Sequence, residues 1–435
     1  MLRRSSLFTL VLSVVTVSVF GSGCLTSPPV PGTPSQPAQR GPAIRHVFTI
    51  ILENQAYSNT FGPVMPVPYL SKNVAAQGAL LQNYYGTSHF SEGNYLTLIS
   101  GQAVTTANQD DCTLVAPGIG TKHVDIAVSG VSTFDQVTGI GCVYPSSTMT
   151  VADQLTAAGY TWRGYMEDMG NDPTREAATC GQPGAGIGAA DNTTNEQVPP
   201  SYNSGGTEAV TDKYAARHNP FVYFHSLLDS GACAKNVEPL NDKTLPVDLG
   251  SVATTPNYVF ITPNLCDDGH DVPCKVPGSP KSYVYEDQFL QRWVPIIVRS
   301  PAFQKDGLLI VTFDESSPSP LGATTLTVYD GTACCDEPSG PNTQLPGAPP
   351  MGVAFGATFT GSVGNSGGGE TGAVLLSPFI KPGTISAVPY NHYYTLHAIE
   401  SYFGLKYLGY ADYPGTSGFG SDVFDTTGTK YLIAL

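Results

Sequence analysis

The chain has 435 residues, 41% of them hydrophobic and only 13% charged, with a formal net charge of -15 from 20 basic and 35 acidic side chains. That length fills either one large α/β domain or two or three smaller ones. The acidic balance excludes a nucleic-acid binder, which needs a basic footprint on the phosphate backbone.

In chain order, the first feature is MLRRSSLFTLVLSVVTVSVFGSGC, with a basic start at Arg3 and Arg4, an apolar run from Leu7 to Phe20 and small residues before Cys24. The run is shorter than the ~18 to 20 apolar residues a bilayer core requires, so it reads as an export signal over 1–23. Gly21-Ser22-Gly23-Cys24 resembles the lipobox of bacterial lipoproteins, although the usual leucine three residues before the cysteine is missing. Lipidation at Cys24 implies membrane association of a periplasmic or cell-surface protein; without it, cleavage leads to secretion. The proline-rich stretch that follows, to about residue 44, has the composition of an extended tether.

Apolar, β-branched or aromatic runs then predict the buried strands of a mostly parallel central sheet flanked by helices. They are His46 to Leu52, Tyr160 to Met166, Pro220 to Ser226, Asn257 to Pro263, Leu308 to Phe313 and Ala373 to Phe379. Helical patterns cover Val151 to Ala158, Asp287 to Val298 and Tyr394 to Phe403, the last stopped by Gly404. Such a sheet presents its ligands at the carboxyl ends of its strands. There stand Glu53 and Asn54, Glu167 and Asp168, then Asn264, Asp267, Asp268 and His270, then Asp314 and Glu315. Carboxylates recurring at one edge point to a metal site.

Ser91 opens a short apolar helix that ends at Gly101, which places its hydroxyl where helix N–H groups and the helix dipole favour a phosphate. Helix capping is the ordinary alternative for such a serine. Residues 316–371 are rich in Gly, Pro, Ser and Thr and predict a long loop or lid insertion. Eight cysteines follow Cys24, an even number that suggests disulfides in an exported chain. Cys266 and Cys274 are close enough for a local loop, whereas the neighbours Cys334 and Cys335 are expected to pair elsewhere, because a bridge between adjacent residues is strained.

Seven ordered segments carry a resemblance. They are ILENQAYSNTFG from Ile51, SHFSEGNYLTLISG from Ser88, ADQLTAAGYTWRGYME from Ala152, HNPFVYFHSL from His218, ITPNLCDDGHD from Ile261, LIVTFDE from Leu309 and the long segment from Leu375 to Leu405. Together they resemble the bacterial and fungal phosphoesterase family of acid phosphatases and phosphatidylcholine-type phospholipases C, within the alkaline phosphatase-like superfamily. The resemblance implies a metal-dependent phosphoric ester hydrolase over 45–435 that acts through a phosphoserine intermediate. Ser91 matches the nucleophile, and Asn94 an amide that contacts the phosphate. Glu53, Asn54, Ser91, Asp314 and Glu315 match the metal site. His270 and His392 match catalytic histidines, with Asp267 or Asp268 and His89 as additional site candidates. Oxygen ligands suit Mg²⁺, Ca²⁺ or Mn²⁺, and added histidines admit Zn²⁺ or iron.

Gln55-Ala56-Tyr57-Ser58-Asn59 lacks the aromatic-aspartate pair usual in the phospholipase branch. A phosphomonoesterase or small phosphodiesterase is therefore the leading expectation. Phospholipase C is the second, and a non-catalytic surface lipoprotein the third. Ser91 is not in a C/S-x-P-x-R setting, which argues against a sulfatase.

Overall fold

β1 (His46–Leu52) is buried at all seven positions, because each of its faces is covered by a separate apolar cluster. Val47 and Ile51 point into one cluster, and Phe48, Ile50 and Leu52 into the other. A strand buried on both sides reads as a continuous apolar run, the signature of a sheet sandwiched between layers. The computed structural model describes residues 42–63, 66–112, 123–184, 186–194, 212–274, 279–280, 283–320, 327–343, 360–363 and 367–435. The expected export signal, Cys24 and most of the tether lie outside the described residues. Among the described residues no helix is long and apolar enough to cross a membrane.

The central sheet has eight strands: β1, β2 (Ala79–Leu81), β3 (Trp162–Met166), β4 (Val237–Pro239), β5 (Tyr258–Thr262), β6 (Gly307–Phe313), β7 (Ala373–Leu376) and β8 (Thr384–Ser386). Their order is β8-β2-β7-β6-β1-β5-β3-β4. β1 pairs in parallel with β5 and β6, β3 with β4 and β5, and β2 with β8, while β7 runs antiparallel to both β2 and β6. Seven strands therefore share one direction, and the fold is α/β with a mainly parallel sheet, as expected. The carboxyl ends of β6, β1 and β5 lie side by side, and the functional site is built there.

The four longest helices among the described residues are α1 (Ser91–Ser100), α2 (Val151–Ala157), α3 (Val284–Val298) and α4 (His392–Phe403). All ten residues of α1 are buried, and the helix packs against α4. Both α1 and α4 stop at a left-handed glycine, Gly101 at φ 66° and Gly404 at φ 67°, as their sequences predict. α2 is started by a reciprocal Thr150–Asp153 capping box.

Two expectations need correction. The Pro220 to Ser226 run is not a strand. Pro220–Tyr223 forms a 3₁₀ turn, and a short helix, His225–Asp229, comes after it. The Asn219 side chain accepts the Phe221 N–H and Pro220 occupies the first helical position, so local capping chemistry prevailed over an apolar run whose period is ambiguous. Phe221 still reaches the core, stacked on Trp162 with ring centroids 5.0 Å apart.

The second correction concerns the cysteines. Cys112 pairs with Cys142, Cys180 with Cys233 and Cys266 with Cys274, while Cys334 and Cys335 bond each other. Joined in this way, the two neighbours tie no distant segment to the insertion. Within residues 316–371, Ser319–Pro320, Thr327–Asp330 and Thr360–Val363 form a small three-stranded sheet.

Candidate active site

The ends of β1 and β6 are laced together by backbone. Asp314 N–H donates to the Leu52 carbonyl at 2.9 Å, Gln55 N–H to the Glu315 carbonyl at 3.1 Å, and Glu53 N–H to the Asp268 carbonyl at 2.8 Å. This lacing draws Glu53, Asp314 and Asp268 together, all of them fully buried. Asn54 takes a left-handed turn at φ 52°. Its backbone N–H donates to Asp314 Oδ1 at 2.9 Å, and its side-chain Nδ2 donates to Glu53 Oε2 at 3.1 Å.

Ser91 sits at the first turn of α1, where Phe90, the N-cap residue, offers no side-chain cap, and the Ser91 hydroxyl is not spent on capping. Instead Ser91 Oγ donates to Glu53 Oε2 at 2.9 Å. One turn along the same helix face, Tyr95 donates its hydroxyl to Glu53 Oε1 at 2.7 Å. Gly93 has a steric reason: a Cβ there would stand 2.2 Å from Val104 Cγ1 and 2.5 Å from Ser88 Oγ. The Glu92 N–H, one of the helix-start donors expected to face a phosphate, donates to Asp111 Oδ1 at 2.9 Å.

Three residues with no place in the expected site join it. His218 is buried with its ring stacked on Tyr95, centroids 5.1 Å apart. Its Nε2 lies 3.2 Å from Glu53 Oε1 and its Nδ1 3.2 Å from Asp268 Oδ2. Arg217 is next to it, with Nη2 at 3.1 Å from His270 Nε2 and Nε at 3.8 Å from Asp111 Oδ2. Tyr95 is the third, and its i,i+4 spacing from Ser91 was a signal available in the sequence. His218 and Arg217 gave none, since the Ala216–His218 turn that presents them looked like the approach to a strand.

His270 lines the cavity, with Nδ1 2.8 Å from Asp271 Oδ1. Donating from Nδ1 to Asp271 and accepting from Arg217 at Nε2 gives the ring one consistent neutral tautomer. The cavity has a volume of about 330 Å³ and is lined by Asn54, Ser91, Asp111, His270 and Glu315, with several apolar side chains.

Other expected site residues have partners of their own. Asn94 does not face the cavity: its Oδ1 accepts the backbone N–H groups of Thr87 at 2.8 Å and Ser88 at 3.0 Å, and its Nδ2 donates to the carbonyls of Ser88 at 2.9 Å and Phe90 at 3.2 Å. It braces the loop that presents Ser91. His392 donates from Nε2 to the Asp314 carbonyl at 2.6 Å, and its Nδ1 lies 3.1 Å from the Tyr84 hydroxyl. With both nitrogens engaged away from the cavity, it buttresses the β6 end; burial lowers its pKa to about 4. Glu315 is paired to His89 Nδ1, and His89 Nε2 donates to the Asp330 carbonyl at 2.9 Å. Asp267 lies apart, lining a second cavity of about 400 Å³ with Glu167 and Lys213. Of the two neighbouring aspartates, it is Asp268 that reaches Glu53.

The electrostatics are those of carboxyl groups crowded together in a buried site. Burial raises the Glu53 pKa well above the carboxylate range, and Asp314 and Asp268 push it further. Burial lifts Asp314 to about 6, and lifts Glu315 to about 7 against the lowering effect of His89. Burial, then Arg217 and His270, hold His218 well below its usual value. Among the described residues, Asp314 Oδ2, Asp268 Oδ2 and both His218 nitrogens lack aligned hydrogen-bond partners, an expensive arrangement for buried polar atoms. Ligand atoms of Glu53, His218 and His270 lie within 4.8 Å of one another. A divalent cation fits this donor set, in which two histidines stand where the expected set had Ser91 and Glu315.

The chain is similar to known phosphatases. The chain is 27% identical over 276 residues to a phosphate-repressible acid phosphatase of Penicillium chrysogenum, a match covering 63% of this chain and 49% of the relative. It is 22% identical over 376 residues to a phosphatidylinositol-3-phosphatase of Mycobacterium tuberculosis, covering 85% and 80% respectively. The chain thus spans about half the length of the acid phosphatases it matches. Among solved structures it is similar to an alkaline phosphatase superfamily protein of Vibrio parahaemolyticus, with TM-score 0.41 and 12% identity, covering 84% of this chain and 68% of that one. The sequence profile of the phosphoesterase family matches residues 65–406, a span that includes Ser91, His218, His270, Asp314 and His392; the chain belongs to the phosphoesterase family.

Proposed function

We propose that the protein hydrolyses phosphate esters, with Ser91 as the nucleophile and a phosphomonoester or small phosphodiester as substrate. The observation that carries this reading is the Ser91 hydroxyl on the cavity wall, hydrogen-bonded to buried Glu53 from the first turn of its helix. Ser91 Oγ attacks phosphorus and the bond to the leaving oxygen breaks, giving a phosphoserine. The serine proton has an acceptor 2.9 Å away in Glu53 Oε2. His270 lines the cavity with Nδ1 donating to Asp271 and Nε2 accepting from Arg217, so the leaving oxygen takes its proton from water in the cavity. Water then cleaves the phosphoserine, releasing inorganic phosphate and restoring Ser91.

Glu53, Asn54, Asp314, His218 and His270 are the residues that would hold a divalent cation, with Asp268 orienting His218. The cation would neutralise charge on the transferring phosphate and lower the barrier to its attack. A mixed set of imidazole and carboxylate donors suits Zn²⁺, Mn²⁺ or iron as well as Mg²⁺ or Ca²⁺.

Export fits the same reading. Eight cysteines in four disulfides call for an oxidising compartment. The N-terminal basic-apolar-small pattern supplies the route, with Cys24 as a lipid attachment point.

The test is hydrolysis of p-nitrophenyl phosphate, bis-p-nitrophenyl phosphate and phosphatidylcholine, with and without chelator, by the wild-type chain and by Ser91→Ala. Chelator-sensitive turnover lost in Ser91→Ala is the expected result. Turnover of phosphatidylcholine alone would move the substrate to lipids, and full activity in Ser91→Ala would remove the nucleophile.

A further inference from the structure

The cavity beside Ser91 is polar on one part of its lining and apolar on another. Phe90, Val272, Tyr283, Pro318 and Tyr329 line it together with the polar groups. Phe90 directly precedes Ser91. Tyr329 comes from the insertion, on the strand Thr327–Asp330, and stands edge-on to Phe90 with centroids 5.5 Å apart and planes at 78°. Its ring also lies 4.8 Å from that of His89, which is held at both nitrogens by Glu315 and Asp330. Tyr283 arrives from a third segment, as the residue before α3. Three aromatic rings from distant segments therefore line the same cavity as Ser91.

We propose that Phe90, Tyr283 and Tyr329 form a leaving-group subsite that takes a planar apolar group, so that the preferred substrates are phosphomonoesters of uncharged aryl or arylmethyl alcohols. This rests on the phosphate-ester hydrolase reading and names its substrate class. A small polyol leaving group would leave the rings in contact with water, whereas an aromatic one covers them and gains ring-on-ring contact. Further anionic groups on the leaving side are disfavoured, because Asp111 and Glu315 line the same cavity and the chain carries a net charge of -15.

The experiment compares benzyl phosphate with ethyl phosphate, which share an alkoxide leaving group, so their difference reads binding in the subsite rather than intrinsic reactivity. The wild-type chain should favour benzyl phosphate roughly tenfold or more in kcat/KM. Tyr329→Leu and Tyr283→Leu should each reduce that ratio by roughly three- to tenfold, mostly through KM. Calorimetry with benzylphosphonate and ethylphosphonate repeats the comparison without turnover, and thermal melting confirms that both variants are folded. A wild-type ratio near one, or a ratio unmoved by both substitutions, overturns the subsite. If no ester is hydrolysed yet benzylphosphonate binds more tightly and loses that advantage in the variants, the subsite stands and the hydrolase reading falls. Equal binding of the two phosphonates removes both supports for the subsite.

Discussion

Replacing Asn94 separates two roles for one side chain. The family resemblance implies that its amide contacts the substrate phosphate, whereas the structure commits that amide to the loop at Thr87–Phe90. In Asn94→Ala two backbone N–H groups and two carbonyls lose a buried partner. Each unsatisfied group costs about 1 to 3 kcal/mol, reduced where the loop relaxes or water enters. Because the four share one loop their costs do not add, and a total of about 3 to 5 kcal/mol is expected. That is a large fraction of the roughly 5 to 15 kcal/mol by which a domain is stable. Urea unfolding with disulfides intact should show a midpoint shift at unchanged slope. Asn94→Asp keeps the acceptor but turns a buried carboxylate oxygen onto the Ser88 and Phe90 carbonyls, so at neutral pH it should be destabilised at least as much as Asn94→Ala. A phosphate contact predicts the opposite pattern: turnover lower by about two orders of magnitude with stability preserved. An Asn94→Ala protein that melts with the wild type but turns over a hundredfold more slowly would refute the bracing role.

Two further outcomes test the electrostatics. Glu400 is fully buried on α4, with Leu408 N–H donating to Oε1 at 3.0 Å and, among the described residues, no hydrogen-bond partner for Oε2; burial, helped by nearby Asp412, raises its pKa to about 9. The unfolded chain ionises this group first, so stability should fall as pH rises from the usual carboxylate value of 4.5 toward 9, by about 3 kcal/mol at neutral pH. Glu400→Gln should flatten that slope between pH 5 and 8, and an unchanged slope in denaturant titrations would contradict the assignment. At the candidate metal site, Mn²⁺ or Zn²⁺ at a hundred times its Kd should stabilise the wild-type chain by about 2.7 kcal/mol. The Glu53→Gln, Asp314→Asn double variant should be more stable than wild type without metal at neutral pH, since two buried carboxyl groups whose pKa values folding raises are gone, and should lose the response to the ion. An equal metal-induced shift in both proteins would place the ion elsewhere.

The sequence by itself determined the parts of the site that depend on local order. β1 and β6 are apolar runs followed at once by acids, so Glu53 and Asp314 were readable as neighbours at one sheet edge. The helix opened by Ser91 and closed by Gly101 was readable from its boundary residues. Only the tertiary structure decided which buried polar group meets which. Asn94, with the same amide that could hold a phosphate, turned to the backbone of its own loop, and His392 turned to the Asp314 carbonyl, because packing placed a partner there first. His218 entered the site on a 3₁₀ turn whose apolar sequence is ambiguous between strand and helix. Tyr329 reached the cavity from an insertion with no periodic pattern. Strand and helix signals arise within a few residues and can be read locally, whereas the pairing of buried charges is settled by segments far apart in the chain that share one interior.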